Sequence, residues 1–390
     1  MFEGVCIMEQ RNRNPYAKVD WQHTHRITGN THFHCTRLID WEYAQKIGVN
    51  FFTASNYYPS APWYPMDRMT QNYYRCHHEH AVMTGKSGDD PFEPVHNGTL
   101  TPGPFDWNKI LADWADKLPE ELRSQYPFVE GGKIFPPLPD GILEAPNAEH
   151  HGLTDAPGET HITGLGSFCA TGTFDARNRF GTFQHGFGCG SGMTWRELFT
   201  AILDKLQFPD GGGVIINHPT WSHLNQQLLH DMLDFDPRVL GIEALNGDCS
   251  RSNTAWSMEH WDTALRSGRQ CYGFFATDHF GCDPIEGRIK ILAEEFTAES
   301  ALRAIRNGEF YGALLGKGIQ FTRIKAENGV LSAAADRPAK WQFISGSGVV
   351  YETTGTEAAC PFAGNSYLRI EAEDESGEKI FSQATFADSI

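Results

Sequence analysis

Apolar positions along the chain predict short helices that alternate with short buried strands. Helical spacing of apolar residues marks residues 195–206, 224–235, 261–267 and 298–306. Continuous apolar runs predict strands at residues 49–53, 214–216, 239–245 and 272–277. Since strands that alternate with helices are typical of βαβ units, the pattern indicates an α/β fold around a parallel sheet, such as an α/β barrel.

The pattern changes twice along the chain and so divides it into parts. Residues 57–140 are rich in Pro, Gly and aromatic residues and form a long insertion, with one predicted helix at 107–118. Beyond Gly316, apolar and polar residues alternate with the period of two that β-hairpins show. We therefore predict an N-terminal extension at 1–29, an α/β unit at 30–317 and a small β-sandwich-like domain at 318–390.

Composition narrows the classes of partner. The 390 residues include 32 Lys and Arg against 49 Asp and Glu, a net charge of −17, whereas binding a nucleic-acid backbone requires a basic surface. No run approaches the ~18 apolar residues of a membrane-spanning helix. Nine cysteines without a CxxC pair favour reduced thiols. We expect a cytoplasmic protein with a small-molecule substrate and neither a nucleic-acid nor a membrane partner; the sequence indicates no oligomeric state.

Histidines and an aspartate at or near strand ends are the first candidates for chemistry. His32 and His34 are two residues apart, so on a strand both imidazoles face one side and can reach one metal ion. His218 follows the predicted strand 214–216, and the adjacent Asp278 and His279 follow the strand predicted from 272. Barrel enzymes carry their catalytic groups at the carboxyl ends of strands. Taken alone, the HxH pair could arise by chance among 17 histidines, His218 could be a packed turn histidine, and Asp278 could be a helix-capping aspartate.

A fourth segment supplies a carboxylate and a further imidazole. Glu149 lies in the string PNAEHH, and His161 precedes an apolar segment; Glu144 competes for the carboxylate role. Imidazole and carboxylate together suit zinc, iron or manganese, and no cysteine accompanies them, which disfavours a structural zinc site. Other histidines remain unassigned candidates for the same site: His77, His78, His80, His150, His151 and His185.

In their order along the chain, these motifs resemble the PHP (polymerase and histidinol phosphatase) metallohydrolase family. The strings THFHCT, TASN, PNAE, HITGLG, NHP and TDH follow one another as the family's motifs do, and GIEALNG and EFTAESALRAIRNGEFYGALLG also look like this family. The likeness covers about residues 27–390, including a tail that resembles that of two-domain members. It implies a distorted (β/α)7 TIM-like barrel at 30–317 with a C-terminal all-β domain.

The resemblance also implies a set of metal ligands. Carried over position by position, they are His32, His34, Glu149, His161, His218, Asp278 and His279. Glu149 is preferred over Glu144 because PNAE keeps the family's proline-to-glutamate spacing. The family has TDHN where this chain has TASN, so Ala54 cannot bind metal and Ser55 is a weak replacement. The acidic residue that follows the family's HxH motif has at best Asp40 as its counterpart. We therefore expect one to three divalent ions, Zn, Mn or Fe.

Hydrolysis of a small-molecule phosphoester by metal-activated water is the leading hypothesis for function. His161 or His279 would act as general acid, and Arg177, Arg179 and Arg251 would hold a substrate anion. Hydrolysis of a carboxylic or carbamic ester, as in a tailed branch of the family, is one alternative. A non-catalytic ligand-binding protein on a degenerate barrel is the other, favoured by the loss of TDHN and by the aromatic loops.

Overall fold

A computed structural model describes about a third of the residues before 191 and all but eight of those after it. The described residues are 12–34, 44, 46–55, 103–104, 140–157, 160–167, 169–170, 191–279, 285–314 and 318–390. The predicted helix 107–118 and nearly all of the insertion 57–140 lie outside these ranges.

Helices and strands are as follows in chain order. The helices are α1 Trp195–Leu203, α2 Gln226–Leu233, α3 Met258–Arg266 and α4 Ala298–Asn307. The strands are β1 His25–Asn30, β2 Phe51–Phe52, β3 Gly103–Pro104, β4 Leu143–Glu144, β5 Glu149–His150, β6 Ile162–Leu165, β7 Cys169–Ala170, β8 Gly213–Ile216, β9 Val239–Asn246, β10 Tyr272–Ala276, β11 Gly287–Ala293, β12 Phe310–Leu314, β13 Phe321–Glu327, β14 Val330–Ser345, β15 Gly348–Pro361, β16 Tyr367–Glu373, β17 Lys379–Phe381 and β18 Thr385–Phe386.

Capping residues explain where the helices begin. The Thr194 side chain accepts a hydrogen bond from the Glu197 amide, and the Glu197 carboxylate accepts one from the Thr194 amide, which forms a capping box at α1. The Asn225 and Thr297 side chains cap α2 and α4 by accepting one hydrogen bond each, from the amides of Leu228 and Ser300. Gly308, with φ of 76°, ends α4 in the left-handed region that glycine adopts without strain. The four predicted helices that lie within the described residues are confirmed, with ends shifted by a few residues.

Two larger sheets carry most of the strands. Five strands form one sheet in the order β10-β9-β8-β6-β5; β8, β9 and β10 run parallel, and β6 pairs antiparallel with both β5 and β8. The other sheet has the order β13-β14-β16-β17-β12-β11-β1-β2-β4, with β15 on β14 and β18 on β16. Every residue of β8, β9 and β10 is buried, as expected for parallel strands covered on both faces.

The predicted α/β class is confirmed, but closure of a (β/α)7 barrel is not. Within the described ranges the strands form separate hydrogen-bonded sheets with few helices, and no closed barrel is seen. The two larger sheets meet just past their strand ends. Phe33, after β1, bridges Asp278, after β10, in parallel orientation. On the other side, the Glu149 amide donates a 3.0 Å hydrogen bond to the Ser55 carbonyl.

From β13 onward the chain is almost entirely β-structure, as the alternating pattern predicts. Its core includes Phe321, Trp341 and Ile370, all fully buried. The strands are not separate from the rest, because β17 pairs antiparallel with β12 across the predicted boundary at 317. The Gln383 side chain also accepts a 2.8 Å hydrogen bond from the Gly273 amide of β10 and donates a 3.0 Å one to its carbonyl. The tail is therefore hydrogen-bonded to both larger sheets.

The structure also provides one observation on membrane-spanning helices and one on cysteines. Among the residues that the structure describes, no helix is long and apolar enough to span a membrane. Four cysteines are buried free thiols: Cys169, Cys249, Cys271 and Cys360.

Candidate metal centre

The HxH segment lies immediately after β1, in extended backbone at the junction of the two sheets. The sequence predicted it on a strand, but β1 ends at Asn30, and only Phe33 makes a strand-like bridge. The His34 amide donates to the Asp278 carbonyl at 2.7 Å, and the Asp278 amide donates to the His32 carbonyl at 2.9 Å. The two side chains still point to the same side of the extended backbone, since the centroids of the His32 and His34 rings are 5.4 Å apart. Backbone hydrogen bonds between two sheets thus fix both imidazoles.

Glu149, at the start of β5, lies at the centre of a histidine cluster. Its Oε1 atom is 2.8 Å from His161 Nδ1, 3.2 Å from His32 Nε2 and 3.6 Å from His218 Nε2. Its Oε2 atom is 3.0 Å from His34 Nε2. All five side chains are buried. One carboxylate therefore contacts four imidazoles that come from three separate segments of the chain.

Asp278 forms the other anionic side of the cluster. Its Oδ1 atom is 3.4 Å from His32 Nε2, 3.3 Å from His34 Nε2 and 3.1 Å from His279 Nδ1. Its Oδ2 atom accepts a 3.0 Å hydrogen bond from Asn246. The backbone of Asp278 has φ of 68°, an unusual value for a residue other than glycine and one that clusters at functional sites. The turn after β10 is thus shaped to aim this carboxylate at the histidines.

Opposite charges in the cluster stabilise one another in the absence of a cation. Burial alone would lower the pKa of His32, but the charges of Asp278, Glu149 and Glu243 raise it well above its ordinary value. Burial would raise the pKa values of Glu149 and Asp278, but neighbouring histidines, His32 first, hold both well below the usual range. The carboxylates are therefore ionised near neutral pH, as metal ligands must be.

The side chains fit a divalent cation by their chemistry and spacing. Two groups have ligand atoms within 4.8 Å of one another: His32, Glu149 and His218, and His32, His34 and Asp278. Ligand atoms about 2.1 Å from a tetrahedral or octahedral ion lie roughly 3.0–3.4 Å apart, and the contacts of Glu149 and Asp278 with these histidines span 3.0–3.6 Å. The buried atoms His32 Nε2 and Glu149 Oε2 make no hydrogen bond of normal geometry. Such atoms are what a cation would bind.

A third group with the same spacing lies at the rim and includes a residue that the sequence analysis missed. Asp248, Asp278 and His279 offer ligand atoms within 4.8 Å of one another. His279 is half-exposed. Burial alone would lower its pKa, but hydrogen bonds that the Asp248 and Asp278 carboxylates accept from its ring outweigh burial and raise the pKa to about 10. Asp248 begins a short 3-10 turn just after β9. Its position after a predicted strand was the sequence feature that could have identified it as a candidate ligand. Arg251, predicted to bind substrate, lies 3.4 Å from Asp248 and is mostly exposed.

Glu243 is a second residue that the sequence analysis gave no role. It is fully buried within β9, and its Oε1 atom is 2.7 Å from His32 Nδ1. A carboxylate on the far nitrogen of a metal-binding histidine is a common outer partner in metal sites. The sequence feature that could have revealed Glu243 is its position as a charged residue inside a largely apolar strand. Asn217, next to His218, similarly donates a 3.1 Å hydrogen bond to Glu149.

The other candidates are distributed unevenly around the centre. Glu144 belongs to none of the three groups among the described residues. Ser55, in the TASN string, exchanges hydrogen bonds with the Phe33 backbone, so it supports the HxH segment from behind. His151 is buried with its ring 5.7 Å from that of His161, and burial lowers the pKa of His150 to about 3. Several predicted or unassigned candidates lie outside the described residues: Asp40, His77, His78, His80, Arg177, Arg179 and His185.

The arrangement is compatible with a buried divalent cation, and comparison with known proteins adds little to this observation. No family model and no curated protein matches the chain. One solved structure that the chain matches weakly is a two-domain protein from Bacteroides vulgatus, described as containing a predicted PHP-like metal-dependent phosphoesterase. It has 12% identity and a TM-score of 0.38 over 93% of this chain and 94% of that one. At that TM-score the similarity assigns neither fold nor function.

Proposed function

We propose that this protein is a divalent-cation-dependent hydrolase that cleaves a phosphoester in a small-molecule substrate. The observation that carries the proposal is the contact of Glu149 with four histidines, beside Asp278, at the junction of the two sheets. Seven residues are assigned to cation binding or to its rim: His32, His34, Glu149, His161, His218, Asp278 and His279. The donor set suits zinc, manganese or iron.

A cation in this centre would polarise the substrate and lower the pKa of water. The chain's own residues do the rest. His161, with Nδ1 2.8 Å from Glu149 Oε1, is one candidate for the general acid that protonates the leaving group. His279 is half-exposed at the rim and positioned to donate a proton outward. Trp221 packs its ring 4.9 Å from that of His218 and supplies an apolar wall.

A phosphoester is favoured over a carboxylic ester because two of the candidate cation-binding groups share a residue. Asp278 belongs to one buried group and to the rim group, so it would serve neighbouring cations. Paired cations stabilise both the attacking and the leaving oxygen of a phosphoryl centre, whereas a carbonyl needs one Lewis acid. The chain's net charge of −17 would repel an anionic substrate unless cations reverse the local sign. Arg251 at the rim adds a positive charge on the path of such a substrate.

Metal content and two chromogenic substrates test the proposal. Protein purified after growth with Mn, Fe and Zn should carry at least about one equivalent of metal by mass spectrometry of the elements. It should hydrolyse p-nitrophenyl phosphate faster than p-nitrophenyl acetate, with Mn²⁺ or Zn²⁺ added, and chelation should abolish the activity. Cleavage of the acetate alone would establish the ester hydrolase instead. Less than one equivalent of metal would refute cation dependence and favour a binding protein.

A further inference from the structure

Glu243 receives three hydrogen bonds inside the protein. Its Oε1 atom accepts from His32 Nδ1 at 2.7 Å. Its Oε2 atom accepts from the His218 backbone amide at 2.9 Å and from the Asn246 side-chain amide at 2.9 Å. The residue lies in the middle of β9 and is 0% exposed. A carboxylate is costly to bury, so its retention in an apolar strand calls for a specific role.

These contacts orient the His32 imidazole directly and hold the backbone that carries the His218 imidazole, whose Nδ1 atom lies 3.2 Å from Ser222 Oγ. With Nδ1 bound to Glu243, His32 presents Nε2 to Glu149 at 3.2 Å and to Asp278 at 3.4 Å. The backbone of His218 has φ of 27°, a strained value for this residue, and its amide is held by the same carboxylate. The His218 Nε2 atom then faces Glu149 at 3.6 Å.

Asn246 connects Glu243 to the anionic side of the centre. Its Nδ2 atom donates both to Glu243 Oε2 at 2.9 Å and to Asp278 Oδ2 at 3.0 Å. Since one amide nitrogen carries two hydrogens, both carboxylates are satisfied by the same group. Glu243 is therefore in contact, directly or through Asn246, with residues that follow β1, β8 and β10.

We propose that Glu243 is a positioning residue that preorganises the cation site by orienting His32 and His218 from behind. It does not contact the cation itself. The inference rests on the proposed function, because it concerns the same site, but it predicts a property of the protein that is measured without any substrate. Outer carboxylates of this kind fix the tautomer and the ring orientation of a metal-binding histidine.

The substitution Glu243→Gln tests the role with almost no change in shape. Glutamine has one oxygen and one NH₂ group, whereas the site presents three donors. A glutamine that accepts from His32 would point its NH₂ group at the His218 amide and at Asn246, which also donate. In either orientation of the glutamine amide, its NH₂ group faces another hydrogen-bond donor. The hydrogen bond that orients His32, or the one that holds the His218 backbone, is then lost. We expect affinity for Zn²⁺ to fall by about 10–100-fold, the usual effect of losing an outer partner.

The matched control is Glu286→Gln, which removes another buried carboxylate from outside the three cation groups. Glu286 is 3% exposed and lies 3.6 Å from Arg288. Each protein is titrated with Zn²⁺ against a chelating indicator and with Co²⁺ to saturation, and the melting temperature is measured without metal. The Glu243 variant should lose Zn²⁺ affinity and show altered Co²⁺ absorption bands, while the control matches the wild type. Wild-type affinity and Co²⁺ bands in the Glu243 variant would overturn the inference.

A second measurement needs no variant and so survives a failure of Glu243→Gln to fold. Long-range ¹H–¹⁵N spectra of Zn²⁺-loaded wild type should show His32 protonated at Nδ1 and bound through Nε2. Binding of zinc through Nδ1 would contradict a role for Glu243. If the wild type binds no metal, the proposed function fails together with the inference. If it binds metal as expected but cleaves no phosphoester, the proposed reaction fails and the inference stands.

Discussion

Replacing Glu149 by glutamine should separate metal binding from folding. The carboxylate contacts His32, His34, His161 and His218, so its charge serves every histidine of the buried centre. Glutamine keeps the shape and leaves no cavity, which confines the effect to charge and hydrogen bonding. Removing one charged partner of a buried contact costs about 3 kcal/mol of binding free energy, which corresponds to roughly a 100-fold loss of affinity.

The expected thermal shift follows from these values. With free metal at 100 times the wild-type Kd, binding stabilises the wild type by about 2.7 kcal/mol, but a variant that binds 100-fold more weakly by only about 0.4 kcal/mol. At about 2.1 cal/mol/K per residue, the unfolding entropy of 390 residues is roughly 0.8 kcal/mol/K if they unfold as one unit. Metal should then raise the melting temperature by about 3 °C in the wild type and about 0.5 °C in Glu149→Gln.

Differential scanning calorimetry with and without Zn²⁺ measures both shifts, and each protein serves as its own reference. The Glu286→Gln variant should keep the wild-type shift. Equal metal-induced shifts in Glu149→Gln and wild type would refute the placement of the cation beside Glu149. If Glu286→Gln also lost the metal-induced rise in melting temperature, the effect would follow from removing any buried carboxylate and would not be specific to Glu149.

Three further outcomes are expected. His32→Ala combined with His34→Ala should abolish metal retention with an unchanged far-UV circular dichroism spectrum; lost activity at unchanged metal content would contradict their role as ligands. Ser55→Ala should lower the free energy of unfolding by about 1–3 kcal/mol in urea, because the Phe33 amide loses its partner; an unaltered midpoint would argue against this support. Burial raises the pKa of Glu309 to about 7, so the folded state binds more protons than the unfolded state between about pH 4.5 and 7, and stability falls as the pH rises through that window. Glu309→Gln should therefore be more stable than wild type by about 1–3 kcal/mol at pH 8 and similar at pH 4, and urea unfolding at both values checks this.

Single helices and strands were predictable because capping residues and apolar spacing lie within a few residues of one another in the sequence. The capped helix α1 begins at Trp195 as predicted, since the Thr194 cap and the apolar spacing lie within a few residues. His218 and Asp278 were predicted to follow strands, and they do follow β8 and β10. That they lie near His32 and Glu149 came from the family resemblance, because sequence spacing alone says nothing about which strand ends meet.

What escaped prediction depends on contacts between distant segments. The apolar pattern of β9 shows that Glu243 is buried but not that His32, 211 positions away, is its partner. Barrel closure depends on strand pairing, which periodicity does not encode. The antiparallel pairing of β6 with β8 departs from a regular succession of parallel βαβ units. The apolar residues of HITGLG indicate a buried strand but not its direction relative to its neighbour.

The pairing of β12 with β17 has a practical consequence for anyone producing shorter versions of this protein. A chain cut near residue 317 would leave the backbone of β12 without its neighbour Lys379–Phe381 and would uncover the apolar side of that strand. Unprotected edges of this kind recruit other chains and promote aggregation. The N-terminal portion expressed alone should therefore be poorly soluble, and limited proteolysis of the intact chain should release no stable fragment ending near this point.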